Sequence, residues 1–167
     1  MKKQMIIEAD IKQYRLRNIN EGDLEELRIW KNRNKSSFFY QKEISADEQK
    51  KWFEGYINRE NDYIYIIEEC VDDIYKHKIG CIGFRVQEGN VIDIYNVIRG
   101  NKSMADTTML QAMHLLIAYI EKNFTRYEIK CDVLNDNIAK KWYEKCGFVV
   151  KECYEQYSVM KWNKEKE

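Results

Sequence analysis

The segment that most constrains the fold is residues 135–148, which reads Asn-Asp-Asn-Ile-Ala-Lys-Lys-Trp-Tyr-Glu-Lys-Cys-Gly-Phe. Charged residues fill one face of a helix built from it, and apolar residues recur at helical spacing on the other, namely Ile138, Ala139, Trp142, Tyr143 and Cys146. Gly147 stands where a left-handed residue commonly ends a helix. The segment therefore predicts a short amphipathic helix that directs Tyr143 inward and leads into a strand at Phe148.

Tyr143 has two interpretations. A tyrosine on an apolar helix face is usually a core residue whose hydroxyl finds a partner. However, the spacing of Ala139, Tyr143 and the pair Gly147-Phe148, after an extended segment that ends at Asn135, resembles the last helix motif of the GNAT family of acyl-CoA-dependent N-acyltransferases. The resemblance implies that Tyr143 is a general acid that protonates the departing thiolate of coenzyme A. A phenol with an ordinary pKa of about 10 suits that role.

Length and composition are those of one domain. The chain has 167 residues, of which 44% are hydrophobic, so it can bury a core without disulfides or a metal. We expect a single domain over residues 1–167, with peripheral ends at about 1–11 and 163–167. Lys and Arg number 28, as do Asp and Glu, and this balance argues against a nucleic-acid or membrane partner.

Cysteine and histidine usage indicates a metal-free intracellular protein. Five cysteines, at positions 70, 81, 131, 146 and 153, form no paired C-x-x-C spacing and favour reduced, structural thiols. With two histidines and no cluster of metal ligands, we predict no metal site. The N-terminal residues contain no sustained apolar run, and no later run is long enough to span a membrane. We expect a cytoplasmic protein that is a monomer or a homodimer.

Four helices are predicted from apolar side chains that recur every three or four residues. Asn20 with Asp23, and Ser45 with Glu48, have the spacing of helix-opening capping boxes. The predicted helices cover residues 21–32, 46 to about 59, about 104–123 and 138–146.

Seven strands are predicted from β-branched and aromatic runs, at residues 13–19, 63–69, 78–87, 91–98, 127–134, 148–154 and 157–162. Residues 88–90 close a hairpin, whereas residues 71–77 form a looser polar connection. One strand–helix–strand unit among mostly antiparallel neighbours predicts an α+β domain with a mixed sheet. This order resembles the GNAT fold over nearly the whole chain, with about four helices flanking a twisted sheet.

The resemblance implies that acetyl-CoA is the acyl donor and that its pyrophosphate binds at the start of the third helix. A helix N-terminus offers amides and a positive dipole end to an anion. The family's glycine-rich loop is missing here. One alignment places Lys102 at the basic position, Ala105 at the first glycine and Thr107 at the last small residue, while the other matches only Arg99-Gly100.

Without those glycines the backbone is less free to approach a phosphate, so the hydroxyls of Ser103, Thr107 or Thr108 are expected to supplement the amides. The alternative is that Asp106 or Thr107 only caps the helix.

The resemblance also implies contacts with the pantetheine arm of the donor. The backbone of Tyr95 and Val97 on the central strand is expected to pair with it as an added strand would. The side chain of Asn135 is expected to assist. Asn137 competes with Asn135, because the spacing into the following helix is one residue shorter than the common family pattern.

Asp93 is the candidate general base, since the family often places its base on or near this strand. Asp93 and Tyr95 are predicted to share one face of the strand, and Ile92, Ile94 and Asn96 the other. The alternative is that Asp93 is a solvated carboxylate just after the hairpin turn.

Acceptor selectivity is expected from residues 30–33 and 38–41 and from Trp52, an aromatic and basic group that resembles GNAT members acting on nucleotide-linked amino sugars. The resemblance to members acting on ribosomal protein N-termini is less specific. Alternatively, these aromatic residues simply close the core. We predict acetyl transfer to a small amine or nucleotide-linked amino sugar. A protein or peptide amine, or a catalytically silent GNAT-like binding module, are the alternatives.

Overall fold

The chain folds around one eight-stranded sheet. The computed structural model describes residues 5–103 and 107–166. Among these, the strands are β1 (Ile6–Glu8), β2 (Tyr14–Asn18), β3 (Asp62–Val71), β4 (Ile74–Gln87), β5 (Val91–Arg99), β6 (Glu128–Leu134), β7 (Phe148–Cys153) and β8 (Tyr157–Trp162). Their spatial order is β1-β2-β3-β4-β5-β6-β8-β7, and β5 and β6 are the parallel pair in an otherwise antiparallel sheet.

Four α-helices flank the sheet in the described part of the chain: α1 (Leu24–Arg33), α2 (Ala46–Asn58), α3 (Thr108–Asn123) and α4 (Lys140–Cys146). On β3, Tyr65 and Ile67 join the core under α3, whereas Ile64 and Ile66 join the core under α1 and α2. Because successive strand residues point to opposite faces, the two cores lie on opposite sides of the sheet. The predicted α+β class, with a mixed sheet and about four helices, is confirmed.

The predicted helix signals act as expected. Asn20 and Asp23 form a complete capping box on a short 3-10 turn that leads into α1. The Ser45 hydroxyl accepts a hydrogen bond from the Glu48 amide at 3.2 Å at the start of α2. Gly147 ends α4 in the left-handed region, with φ of 106°.

Two regions differ from the predicted element boundaries. The connection over residues 71–77 is a tight turn, because Asp72 and Asp73 take φ values of 52° and 63° that suit a two-residue hairpin. Helix α4 begins at Lys140, and Ile138 is 95% exposed instead of packing inward. The predicted start of α3 near residue 104 lies outside the described residues.

The chain also contains an edge strand that the sequence did not predict. Ile6–Glu8 pairs with β2, and Ile7 is buried, although this segment falls within the end predicted to be peripheral. Three of the five cysteines, Cys81, Cys131 and Cys146, are buried free thiols, as predicted. Over the described residues, no helix combines the length and apolar character needed to cross a membrane.

Strand β5 carries an irregularity at Asn96 that simple alternation did not predict. Asn96 has φ of 52°, and the register with β4 shifts between Cys81 and Gly83. The extra residue reverses the faces that follow it: Ile94 packs under α3, whereas Ile98, four residues later, packs under α1 and α2. Such bulges bend a strand and increase its twist.

Gly100, directly after β5, lies against the indole ring of the buried Trp30, so a Cβ at this position would overlap the ring. We expect Gly100→Ala to lower the free energy of unfolding by about 1–3 kcal/mol, measured by urea denaturation. Gly55→Ala in α2 is the control. It should be neutral or stabilising, because alanine favours a helix and its Cβ would meet only the tip of Arg59. Equal stability of Gly100→Ala and the wild type would contradict the tight contact.

Candidate active site

A cavity of about 930 Å³ opens where β5 and β6 separate. The two strands pair only over Val91–Asp93 of β5, although β5 continues to Arg99. The connection between α1 and α2 and the start of α4 supply the other walls. Five of the sequence-predicted site residues line this cavity: Asp93, Tyr95, Val97, Asn137 and Tyr143.

Tyr143 lies on the wall that α4 contributes. Its ring meets those of Trp142 and Phe148 edge to face, with centroid distances of 5.1 and 5.9 Å. Its hydroxyl makes no hydrogen bond to the described residues. Burial is the main cause of a raised pKa at Tyr143, so the phenol is protonated at neutral pH. The Tyr143 ring is therefore held by aromatic contacts, and its hydroxyl carries a proton.

Asp93 is 8% exposed and shares a lysine with a second carboxylate. Lys130 Nζ lies 3.6 Å from Asp93 Oδ1 and 2.9 Å from Asp132 Oδ2. Burial raises the pKa of Asp93, and Lys130 only partly opposes that effect. At this exposure Asp93 is not a solvated carboxylate, so that alternative is wrong. Its strand is interior to the sheet, with β4 on one side and β6 on the other. A carboxylate with a raised pKa is also a stronger base.

The side chain of Tyr95 is held by a buried carboxylate. Its hydroxyl donates to Asp62, which is fully buried and also pairs with Arg59 Nε at 3.0 Å. The Arg85 guanidinium lies 3.7 Å from the centroid of the Tyr95 ring. The predicted contact of Tyr95 with the donor uses its backbone, so the engagement of its hydroxyl leaves that prediction open.

The loop that precedes α3 has its own internal contacts. The Ser103 hydroxyl contacts the Glu69 carboxylate and lies 2.7 Å from Thr108 Oγ1. Lys102 is exposed, and its carbonyl oxygen lies 2.9 Å from His77 Nε2. A phosphate bound by the Ser103 hydroxyl would have to compete with these partners.

Thr107 is exposed and occupies the N-cap position of α3, but its side chain makes no capping bond there. Ala105 and Asp106, which the two interpretations of this loop also named, lie outside the described residues. Lys102, Ser103 and Thr107 are not among the described residues that line the cavity. The predicted pyrophosphate site therefore remains a prediction.

The structure separates the two asparagine candidates. The side-chain amide of Asn135 donates to the carbonyl oxygens of Tyr154 at 2.8 Å and Glu155 at 3.2 Å, and its oxygen accepts from Ser158. Asn135 thus holds the turn between β7 and β8. Asn137 instead lines the cavity, and its side-chain oxygen accepts from the Ala139 amide at 2.8 Å. Of the two, only Asn137 is among the described residues that line the cavity.

The aromatic residues of the predicted acceptor wall divide into two groups. Trp30 is fully buried, so for it the core interpretation holds, whereas the half-buried Phe38 packs on the same core and also lines the cavity. Phe39 and Tyr40 are 59% and 54% exposed and line the cavity rim. Phe39 also meets the ring of Tyr157 edge to face at 5.6 Å.

The wall is fixed between α1 and α2. The side chain of Asn32 donates to the Ile44 carbonyl at 3.0 Å and accepts from the Ile44 amide at 2.8 Å. Lys31 Nζ lies 4.1 Å from the centroid of the Trp52 ring, and Trp52 stacks on Tyr56 at 5.7 Å. Lys31 and Trp52 both line the cavity.

Among the polar residues that the sequence pattern did not single out are Gln49 and Asp132, which line the cavity, and Asp62, which holds the Tyr95 hydroxyl. Gln49 had a signal, because it lies four residues before Phe53 on the buried stripe of α2, where an apolar residue is expected. Asp132 lies two residues after Lys130 and so on the same face of β6. Nothing in the sequence marks Asp62, whose role depends on Tyr95 from another strand.

The sequence matches the family described as acetyltransferase (GNAT) domain over residues 13–149. The chain belongs to the GNAT acetyltransferase family. It is thereby an acyl-CoA-dependent N-acetyltransferase, and the recognition made from the motif of residues 135–148 is confirmed. No curated protein matches this GNAT chain.

Solved structures share the fold at low sequence identity. FdhC, a nucleotide-linked sugar GNAT, has a TM-score of 0.77 and 18% identity, covering 93% of this chain and 89% of that one. RimL, a ribosomal L7/L12 alpha-N-protein acetyltransferase in complex with coenzyme A, has a TM-score of 0.75 and 16% identity, covering 94% and 96%. Spermidine N-acetyltransferase from Vibrio cholerae has a TM-score of 0.66 and 21% identity, covering 90% and 94%.

The raised pKa of Asp93 predicts a signed effect on stability. The unfolded chain ionises Asp93 near its ordinary value of 3.8, whereas the folded chain does so at higher pH, so stability falls as pH rises through that window. We expect Asp93→Asn to raise Tm by roughly 2–4 °C at pH 8, with a smaller gain toward pH 5. Lys130 keeps Asp132 as a partner. Thermal unfolding at several pH values measures the effect.

The control for this experiment is Asp10→Asn, which removes an exposed carboxylate and should leave Tm nearly unchanged at each pH. A lower Tm for Asp93→Asn at pH 8 would mean that Lys130 stabilises the ionised form of Asp93 more than burial destabilises it.

Proposed function

We propose that this GNAT protein transfers the acetyl group of acetyl-CoA to a primary amine of a small molecule, with nucleotide-linked amino sugars as the leading acceptor class. One observation carries the proposal: Asp93 and Tyr143 line the same cavity, at the point where β5 and β6 separate. The first is a buried carboxylate and the second a protonated phenol. A base and an acid on one cavity are what attack by an amine on a thioester requires.

The two residues divide the proton transfers. Asp93 accepts a proton from the acceptor ammonium, whose freed lone pair attacks the carbonyl carbon of the thioester. As the carbon–sulfur bond breaks, the Tyr143 hydroxyl donates its proton to the departing sulfur. The nitrogen loses its second proton as the amide forms, and that proton returns the Tyr143 phenolate to its neutral form. Burial makes this phenol a weak acid at rest, so the donation depends on negative charge that develops on the sulfur.

The donor arm has a matching path along β5. Tyr95 and Val97 line the cavity on the part of β5 that lies beyond its pairing with β6. An extended pantetheine arm can hydrogen-bond to such a strand as an added strand would. Asn137 lies on the facing wall and supplies a side-chain amide.

A second acceptor class, a protein or peptide N-terminus, is favoured by the cavity mouth. Three large apolar side chains on the lining are exposed there, Phe39, Tyr40 and Ile138, with Ile138 at 95%. Exposed aromatic and aliphatic residues around a cavity are typical of surfaces that contact a macromolecule. A small polar acceptor would leave them in water.

Binding of acetyl-CoA tests the proposed donor site directly, because the loop before α3 lacks the glycines of the family pattern. We expect acetyl-CoA to raise Tm in a concentration-dependent way and to release or absorb heat in a calorimetric titration. ADP, which lacks the pantetheine arm and the acetyl group, is the control ligand and should bind more weakly. The absence of any binding at millimolar acetyl-CoA would refute the proposed transfer from acetyl-CoA at this cavity.

Removing the Tyr143 hydroxyl tests the general-acid role. We expect Tyr143→Phe to lower kcat by about 10- to 1,000-fold, with Tm and acetyl-CoA affinity nearly unchanged, because the ring contacts remain. Release of free coenzyme A in the presence of an acceptor amine measures turnover. Tyr127→Phe, which removes a hydroxyl from a residue outside the cavity lining, is the control. Unchanged turnover in Tyr143→Phe would assign the proton donation elsewhere.

A further inference from the structure

Gln49 is a buried polar residue that faces the cavity without a partner. It is 2% exposed, it lines the cavity, and its Nε2 has no hydrogen-bond partner among the described residues. A buried amide donor left without a partner costs about 1–3 kcal/mol. Buried polar atoms are nearly always paired, so an exception on a cavity wall indicates a group that a ligand completes.

Lys31 is a cation held beside the same turn of α2. Trp52 lies three residues after Gln49 on one face of that helix, and Lys31 Nζ lies 4.1 Å from the centroid of its ring. No carboxylate of the described residues forms an ion pair with Lys31. Burial lowers the pKa of Lys31, which an anion placed beside it would reverse.

Charge is unevenly distributed over the cavity. Of the lining carboxylates, Asp93 and Asp132 lie on β5 and β6, at the end that carries Tyr143, whereas Glu48 lies on α2 and accepts from the hydroxyls of Ser45 and Tyr40. Two arginines also line the cavity, Arg85 on β4 and Arg99 at the end of β5. Lysines gather instead on α1 and on the connection to α2, where the described lining residues are Lys31, Lys35 and Lys42. An acceptor with a cationic amine at one end and a negative group at the other matches both walls.

We propose that Gln49 and Lys31, with Trp52 beneath the lysine, form a subsite for an oxyanion carried by the amine acceptor, either a phosphate or a carboxylate. Gln49 Nε2 donates a hydrogen bond to one oxygen, and Lys31 Nζ supplies a charge-assisted contact. The inference rests on the proposed function, since the oxyanion positions an amine for Asp93. The subsite selects amines that carry a negative group over neutral amines. It also disfavours polyamines, because their second cation would lie against the lysines.

Binding of simple anions tests the subsite without acetyl transfer. In NMR spectra of ¹⁵N-labelled full chain, we expect inorganic phosphate or malonate to shift the Gln49 side-chain amide signal, and spermidine to leave it unchanged. Gln49→Leu and Lys31→Met should each weaken binding of the preferred anion by about 10-fold or more, as judged from backbone signals of α2. The matched controls are Gln87→Leu and Lys151→Met, which change exposed residues outside the cavity lining.

Acetyl transfer gives a second readout. With acetyl-CoA, three acceptors that share one amino sugar ring are compared: glucosamine, glucosamine 6-phosphate and the corresponding 6-carboxylate. We expect the wild type to prefer one of the two anionic acceptors over glucosamine, and the one preferred identifies phosphate or carboxylate as the group bound. Gln49→Leu and Lys31→Met should lower kcat/KM for that acceptor by about 10- to 100-fold and change the value for glucosamine little.

Gln49→Glu replaces the amide with a carboxylate of nearly the same size, so it should abolish the preference for anions by repulsion. A preference for glucosamine or spermidine in the wild type, or a variant series that leaves the preference unchanged, would overturn the subsite while leaving the acetyltransferase intact. Anion binding without any acetyl transfer would retain the subsite and refute the proposed acceptor class instead.

Discussion

The candidate site depends on one constraint, the early end of the pairing between the two parallel strands. β5 and β6 pair for three residues up to Asp93, and β5 then continues past a bulge at Asn96. A strand that bends and twists at a bulge cannot keep a straight parallel neighbour, so a gap opens inside the sheet. The cavity occupies that gap, and the residues on either side of it become its walls.

Burial is the main cause of the pKa shifts of the ionisable residues around this gap. It raises the pKa of Asp93 and of Tyr143 and lowers that of Lys31, because each neutral form is favoured when water is removed. Other polar groups near the gap are satisfied within the protein, as in the contact of the Tyr95 hydroxyl with Asp62. The orphaned amide of Gln49 contrasts with that arrangement.

The loop before α3 lacks most of the family's glycines, and its residues are engaged in packing and hydrogen bonds with the rest of the protein. Gly100 is retained where the indole ring of Trp30 leaves no room for a side chain, which gives it a structural role at the end of β5. The hydroxyl of Ser103 is likewise drawn to Glu69 and Thr108. The Ser103 hydroxyl, which could otherwise bind a phosphate, is therefore already engaged by other residues of the protein.

The sequence by itself determined the elements, since capping boxes, apolar spacing and the helix stop at Gly147 are local signals, and the motif around Tyr143 was enough to recognise the GNAT family. Only the tertiary structure decided which side chains share the cavity. The alternation of side chains along a strand does not reveal the bulge at Asn96. Likewise, no local pattern shows that the side-chain amide of Asn135 binds the turn between β7 and β8, whereas the amide of Gln49 has no partner among the described residues. Such outcomes depend on partners distant in sequence, because hydrogen bonding and burial are properties of the assembled fold.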